Sequence, residues 1–151
     1  MQTRYEITGK FEQAADCNSL LYAPLKKPLS FRRARSYEFD FAGPVDAVTN
    51  FVGRCLFDKI SQNLHTGEEA WSGEAFILEF GMRPGALDLE KEAILNYYKS
   101  LSSPGFEIEK LAIRDRIYVF GDVEDGVSDQ FVRDIVNTAV HTFEILRPAC
   151  V

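Results

Sequence analysis

The chain has 151 residues, of which 46% are hydrophobic and 26% are charged, and its formal net charge is −6. This composition excludes a disordered, collagen-like or low-complexity chain, and the length is typical of one domain. No apolar run approaches the ~18 residues of a membrane-spanning helix, and the first residues lack the apolar core of a secretory signal. We therefore expect a cytoplasmic protein, with no membrane partner.

The first 35 residues give the weakest pattern. Short strands are indicated at residues 5–7 and 20–22, and Pro24 and Pro28 interrupt any longer element between them. We expect residues 1–35 to form an N-terminal arm that packs on, or pairs with, a single α+β domain formed by residues 36–151.

Periodicity becomes clear from residue 36 onward. Apolar and charged residues alternate over residues 36–42, which predicts a half-buried strand, and Gly43-Pro44 precedes an amphipathic helix that extends to about residue 60. A second strand covers about residues 74–80. Asp88 then caps a helix that runs to about residue 101.

The last third of the chain predicts a hairpin followed by a helix. The hairpin has strands at residues 106–113 and 116–123, turns around Arg114 and Asp115, and contains a bulge where the apolar phase slips between Ile108 and Leu111. Ser128 then caps a helix that continues to about residue 146.

These elements predict an α+β fold in the order β-α-β-α-β-β-α. Each helix is apolar along one side only, so we expect a mixed or mostly antiparallel sheet with three helices layered on one face, ferredoxin-like in a loose sense. Gly43, Gly81 and Gly121 each follow a strand, and we expect them to lie along one rim of the sheet.

A small site is conceivable at that rim. Arg83, with Asp40 beside it, would bind a ligand carrying a carboxylate or phosphate, and Glu79 or Asp122 would act as acid or base. The alternative is that the acidic residues near the helix starts serve as structural caps and that Arg83 is a solvated turn residue.

The cysteines and histidines indicate no metal site, disulfide framework or cofactor. Cys17, Cys55 and Cys150 are widely and irregularly spaced, without a CxxC pair, and only His65 and His141 could add imidazole ligands. The sequence also lacks GxSxG, Walker A and GxGxxG motifs. We expect neither metal nor cofactor.

Residues 26–35 form a strongly basic segment in this acidic chain. It contains no acidic residue and could bind phosphates, with Phe31 stacking on a base, although the charge of the remaining chain disfavours nucleic acid. Its basic residues are Lys26, Lys27, Arg32, Arg33 and Arg35.

Phe57, Leu95 and Tyr98 fall outside the apolar stripes of their predicted helices. Such side chains are covered either by the N-terminal arm or by another chain, and a homodimer is the first form to test.

The preferred hypothesis is therefore a non-catalytic cytoplasmic module that self-associates or binds a partner protein, with a small anionic ligand as an additional option. The first alternative is a small enzyme that acts on an anionic metabolite through Arg83 with Glu79 or Asp122. The second alternative is nucleic-acid contact through the basic segment.

Overall fold

A computed structural model describes residues 1–148 of the chain. The strands are β1 (Gln2–Gly9), β2 (Ala15–Asp16), β3 (Ser30–Ala42), β4 (Gln62–Thr66), β5 (Phe76–Met82), β6 (Glu107–Phe120) and β7 (His141–Leu146). The helices are α1 (Val45–Cys55), α2 (Leu89–Ser100) and α3 (Val127–Ile135), and a 3₁₀ turn covers Cys17–Ser19.

All strands belong to one antiparallel sheet with the order β4-β1-β3-β6-β5-β7, and the short β2 pairs with β3. The α+β class and the antiparallel sheet with helices on one face are confirmed. The element order differs from the ferredoxin-like expectation, because β1 and β7 both pair within the sheet.

Strands β3 and β6 form the centre of the sheet and pair over nearly their whole length. The predicted hairpin turn at Arg114 and Asp115 is wrong: both residues lie within β6, opposite Ser36 and Arg35. Charged residues indicated a turn in the sequence, but each of these two side chains has an oppositely charged partner. The predicted bulge is confirmed, since the register shifts after Asp40.

Residues 1–35 contribute β1, β2 and the first part of β3. Strand β1 lies between β3 and β4, and its Tyr5 and Ile7 are buried in the core.

Two predicted helices are shorter than expected. The first ends at Cys55 and is followed by β4, and the last ends at Ile135 and is followed by β7. At Val136 the backbone is extended (φ −88°, ψ 126°), and residues 141–146 then pair with β5. By contrast, the Asp88 cap of α2 is confirmed, because its side chain accepts a hydrogen bond of 3.1 Å from the Lys91 amide.

The three helices cover one face of the sheet in two adjoining apolar clusters. Phe39 packs edge to face against Phe51 of α1, and Phe31 belongs to the cluster that contains Phe131 of α3. Because side chains alternate along a strand, Phe31 and Phe39 of β3 point to the same face. Ile94 of α2 joins the first cluster.

No helix of residues 1–148 lies on the opposite face, and we call it the helix-free face. It is formed by the even-numbered residues of β1, β3 and β7, the even-numbered residues of β6 from Lys110 onward, and the odd-numbered residues of β5. Part of it is covered by residues 67–75, which we call the cover loop, through Trp71 and Ala70. Within residues 1–148, no helix has the length and apolar character needed to cross a membrane.

Candidate functional site

The expectation that three glycines line one rim is wrong. Gly43 lies against Phe106 at the start of β6, Gly81 lies against Arg114 in its middle, and Gly121 follows its end. Since β5 and β6 run in opposite directions, the loops after them leave the sheet at opposite ends.

The residues of the proposed enzymatic site are consequently not brought together. Arg114 marks the part of β6 that lies against Gly81, close to Arg83 in the chain. Asp122 lies eight residues beyond Arg114, a span of roughly 25 Å in extended backbone. Its carboxylate is 2.7 Å from the amine of Lys27, and this hydrogen bond raises the Lys27 pKa. Arg83 is exposed and donates from Nε to the Thr138 carbonyl at 2.9 Å.

The basic segment does not form one surface. Arg32 lies on the helix-free face, whereas Arg33 and Arg35 alternate to the helical face. Phe31 is buried in the core and cannot stack on a base. Arg35 forms ion pairs with Glu90 and Asp115, and these pairs raise its pKa although burial acts in the opposite direction.

Phe57, Leu95 and Tyr98 are half-buried against the first apolar cluster. This cluster includes Tyr5 and Ile7 of the N-terminal 35 residues, so the three side chains pack on the core although they fall outside the predicted apolar stripes. Tyr98 also donates a hydrogen bond of 2.6 Å to the Phe106 carbonyl, while its neighbour Tyr97 is the exposed aromatic residue. A role in an interface stays a prediction for all three.

The two described cysteines are poor nucleophiles. Burial raises the Cys17 pKa to about 12, and it raises the Cys55 pKa to about 11. A thiolate is therefore scarce at both positions near neutral pH. Cys150 lies outside the described residues.

The strongest concentration of buried charge lies at the centre of the helix-free face. Arg116 of β6 donates from Nε to Glu79 of β5 at 2.6 Å and lies 3.6 Å from Glu6 of β1. All three are less than 9% exposed. Burial lowers the pKa of Arg116, but the two carboxylates outweigh it and the net shift is upward. Glu6 also pairs with Arg4 at 2.8 Å.

Tyr118 connects this network to the cover loop. Its hydroxyl donates to Glu6 and accepts a hydrogen bond of 3.2 Å from the Ala70 amide. Burial is the largest cause of a raised Tyr118 pKa, and the hydrogen bond to Glu6 is the second. Trp71 packs edge to face on the Tyr118 ring at 5.0 Å, so the loop shields the network from water on that side.

Small residues allow the long charged side chains to lie flat on the sheet. A Cβ at Gly81 would lie 2.7 Å from the Ile113 carbonyl and 3.1 Å from Cγ of Arg114, so only glycine fits there. Ser36 is opposite Arg114 in the neighbouring strand. Within residues 1–148, the Ser36 hydroxyl and Nη1 of Arg116 are buried without a hydrogen-bond partner. The buried polar atoms of the network are therefore not all hydrogen-bonded.

A cleft of about 360 Å³ adjoins the network at the β7 edge of the sheet. Arg114 lies 3.7 Å from Glu38 and 3.8 Å from Glu79, distances too long for direct hydrogen bonds. Glu144 is exposed, sits opposite Glu79 in the register, and takes part in none of the ion pairs among residues 1–148. The lining residues are Glu38, Glu79, Phe80, Arg114, Thr142, Phe143 and Glu144.

The charge of this cleft is negative. It has three carboxylates and one guanidinium, and Glu79 is already neutralised by Arg116. Glu38 and Glu144 therefore outnumber Arg114, which favours a cationic group as the occupant. Across residues 1–148 there is no cluster of three or more side chains suited to hold a metal ion.

A second, more open cleft of about 630 Å³ lies on the other side of the cover loop. Arg32 is stacked over Trp71, with its guanidinium carbon 5.4 Å from the ring centre, and Phe120 forms another wall. Its walls are mixed aromatic and polar.

Of the residues that form the network and the cleft, only Glu79 was expected from the sequence to have a functional role. The available signal was alternation of charge rather than of apolar residues, in Arg4-x-Glu6 and in Arg114-x-Arg116-x-Tyr118. A period of two in charged residues predicts a polar sheet face. Comparison of the chain with family models, with curated proteins and with solved structures finds no match.

Proposed function

We propose that this protein is a non-catalytic recognition module whose helix-free face binds a partner that presents a basic side chain to the cleft at Arg114. The observation that carries this proposal is the acidic cleft itself: two accessible carboxylates, Glu38 and Glu144, flank it, and one of them has no cation among the described ion pairs. A lysine or arginine of a partner would supply the missing charge.

The buried network supports this role because it fixes the floor of the cleft. Glu79 is held by Arg116, and Arg116 is held in turn by Glu6, so the floor does not need to reorganise when a partner binds. A preorganised surface loses less conformational entropy on association.

The same contacts disfavour a catalytic role. Glu79 is ion-paired and 7% exposed, so it is poorly placed to exchange a proton with a substrate. The small anionic ligand expected at Arg83 has less support than a cationic one here, because the Nε of Arg83 already donates to a backbone carbonyl.

The test uses ¹⁵N-labelled protein titrated with short peptides that are matched in length and hydropathy and differ in the sign of their net charge. We expect amide shifts at Thr142 and Glu144 with the basic peptide only, and weaker shifts at higher salt. We expect Glu144→Gln and Glu38→Gln each to reduce the affinity of the protein for the basic peptide. Glu107→Gln, at the exposed start of β6, is the matched control and leaves the affinity unchanged.

Two results would contradict the proposal. One is equal binding of the basic and acidic peptides. The other is binding of the basic peptide that Glu144→Gln and Glu107→Gln weaken to the same extent, because the cleft would then have no special part in it.

A further inference from the structure

Strand β7 is an edge of the sheet, and it pairs with β5 alone among residues 1–148. Apolar side chains surround this edge: Phe143 is 46% exposed, Val140 is 38% exposed, and Met82 in the neighbouring strand is 43% exposed. The opposite edge, β4, has the sequence QNLHT and is mostly polar. Edge strands of soluble proteins commonly carry lysine, proline or a bulge that blocks pairing, and residues 141–146 contain no lysine or proline.

The backbone of β7 shows which groups face outward. The Arg83 amide donates to the Val140 carbonyl at 2.8 Å, so the even-numbered residues of this segment direct their backbone groups toward β5. The odd-numbered residues therefore direct theirs away from the sheet. The His141 amide is already bonded to the Asn137 carbonyl at 2.8 Å. The outward groups that remain are both backbone groups of Phe143 and Ile145 and the His141 carbonyl.

We propose that this edge binds a second copy of the chain, with the two β7 strands antiparallel and the register centred on Phe143. A twofold axis perpendicular to the sheet keeps the helices of both copies on the same face, so such a register must be centred on one residue. Centred on Phe143, it pairs Phe143 with Phe143 of the second copy and His141 with Ile145 of the second copy.

This register satisfies every outward backbone group except the Ile145 carbonyl, because the amide opposite it, that of His141 in the other copy, is already bonded to the Asn137 carbonyl. The Phe143 amides and carbonyls exchange two hydrogen bonds across the axis, and each Ile145 amide donates to the His141 carbonyl of the other copy. On the helical face, the two Phe143 rings form an aromatic cross-strand pair.

One of the two adjacent registers is centred on Glu144. It would place two glutamates directly opposite each other on the helix-free face, next to the Glu79 carboxylate of each copy, and like charges in that position are destabilising. The Phe143 register instead pairs Glu144 with Thr142 of the second copy, so it avoids this repulsion and is favoured over the Glu144 register.

The dimer would also complete the acidic cleft. Thr142 and Glu144 both line the cleft, and in this register Thr142 of each copy would face Glu144 of the other. The two clefts would then adjoin across the axis and form one binding surface on the helix-free face. The dimer itself does not depend on the proposed function, since it is formed by β7 alone.

Sedimentation equilibrium of the full chain tests the proposal. We expect the wild type to shift from monomer to dimer mass as its concentration rises, and Phe143→Lys to remain monomeric because two lysines would meet at the axis. Asn63→Lys on the other edge is the matched control and dimerises like the wild type. A wild type that stays monomeric over the accessible range overturns the proposal, and so does equal dimerisation of Phe143→Lys.

Disulfide trapping in a Cys150→Ser background tests the register without relying on Phe143→Lys. Phe143→Cys is expected to form a covalent dimer on oxidation, whereas Glu144→Cys is not, because that residue faces Thr142. Preferential trapping of Glu144→Cys would refute the Phe143 register. Glu144→Gln separates the two proposals: it weakens binding of the basic peptide but leaves the dimer intact.

Discussion

Replacing Arg116 with methionine should strongly destabilise the protein. The side chain of Arg116 is 7% exposed and is the close cation of Glu79, whose side chain is 9% exposed. Methionine fills a similar apolar volume but leaves Glu79 buried with only the distant Arg114, at 3.8 Å. Glu6 retains Arg4 at 2.8 Å, so the loss falls mainly on Glu79.

The expected magnitude follows from breaking a buried ion pair. Removal of one partner typically costs about 3–5 kcal/mol. With a urea dependence of roughly 2 kcal/mol per molar, the unfolding midpoint should fall by about 2 M. The double variant Glu79→Met/Arg116→Met should recover much of this loss, because no uncompensated charge then remains in the pair.

Equilibrium urea unfolding followed by far-ultraviolet circular dichroism measures these changes. Arg114→Met is the matched control: the Arg114 side chain is 34% exposed and its carboxylates are 3.7 and 3.8 Å away, so we expect a loss below about 1 kcal/mol. Equal stability of Arg116→Met and Arg114→Met would refute this account of the network.

Three further predictions concern packing and ionisation. Gly81→Ala should destabilise the folded protein by about 1–3 kcal/mol, because the added Cβ would meet a β6 carbonyl. Gly53→Ala, in open space within α1, should instead stabilise the folded protein by about 0.5–1 kcal/mol. The urea unfolding midpoints of both variants check these values. In spectrophotometric titration, Tyr37 and Tyr118 should stay protonated above the usual tyrosine pKa of 10.0, because burial raises the pKa of both. The same tyrosines of the unfolded chain lose their protons at lower pH. The free energy of unfolding should therefore fall as the pH rises above about 10. A pH midpoint of unfolding that does not move when Tyr118→Phe is introduced would contradict this second prediction. The native Cys17 thiol should resist iodoacetamide at pH 8 and react once urea unfolds the chain, and rapid labelling of the folded protein, located by peptide mass mapping, would show that burial does not control its reactivity.

Local signals determined much of the secondary structure. The Asp88 cap, the alternation before Gly43 and the slip in apolar phase near Ile108 are each set by a few neighbouring residues, and the structure confirms the elements they predicted. A cap or a pleated strand depends on nearby backbone geometry, and for that reason sequence alone is sufficient.

The functional face could not be deduced in the same way. Glu6, Glu79 and Arg116 lie on three different strands, and a buried charge is tolerated only where its counter-ion is brought beside it by the fold. In the sequence, Arg114 and Asp115 indicate a turn because their partners on other strands are not visible there. The same limit applies to residues 141–146, which continue a helical pattern but are taken into the sheet by pairing with β5.

The sequence by itself thus determined the α+β class, the one-sided helices and the start and end of α2, since these depend on periodicity and capping. Only the tertiary structure decided that β1 lies inside the sheet, that β7 forms its edge, and that opposite charges meet on the helix-free face. Each of these depends on contacts between residues far apart in the chain, whose pairing is fixed by the free energy of the whole sheet rather than by any local preference.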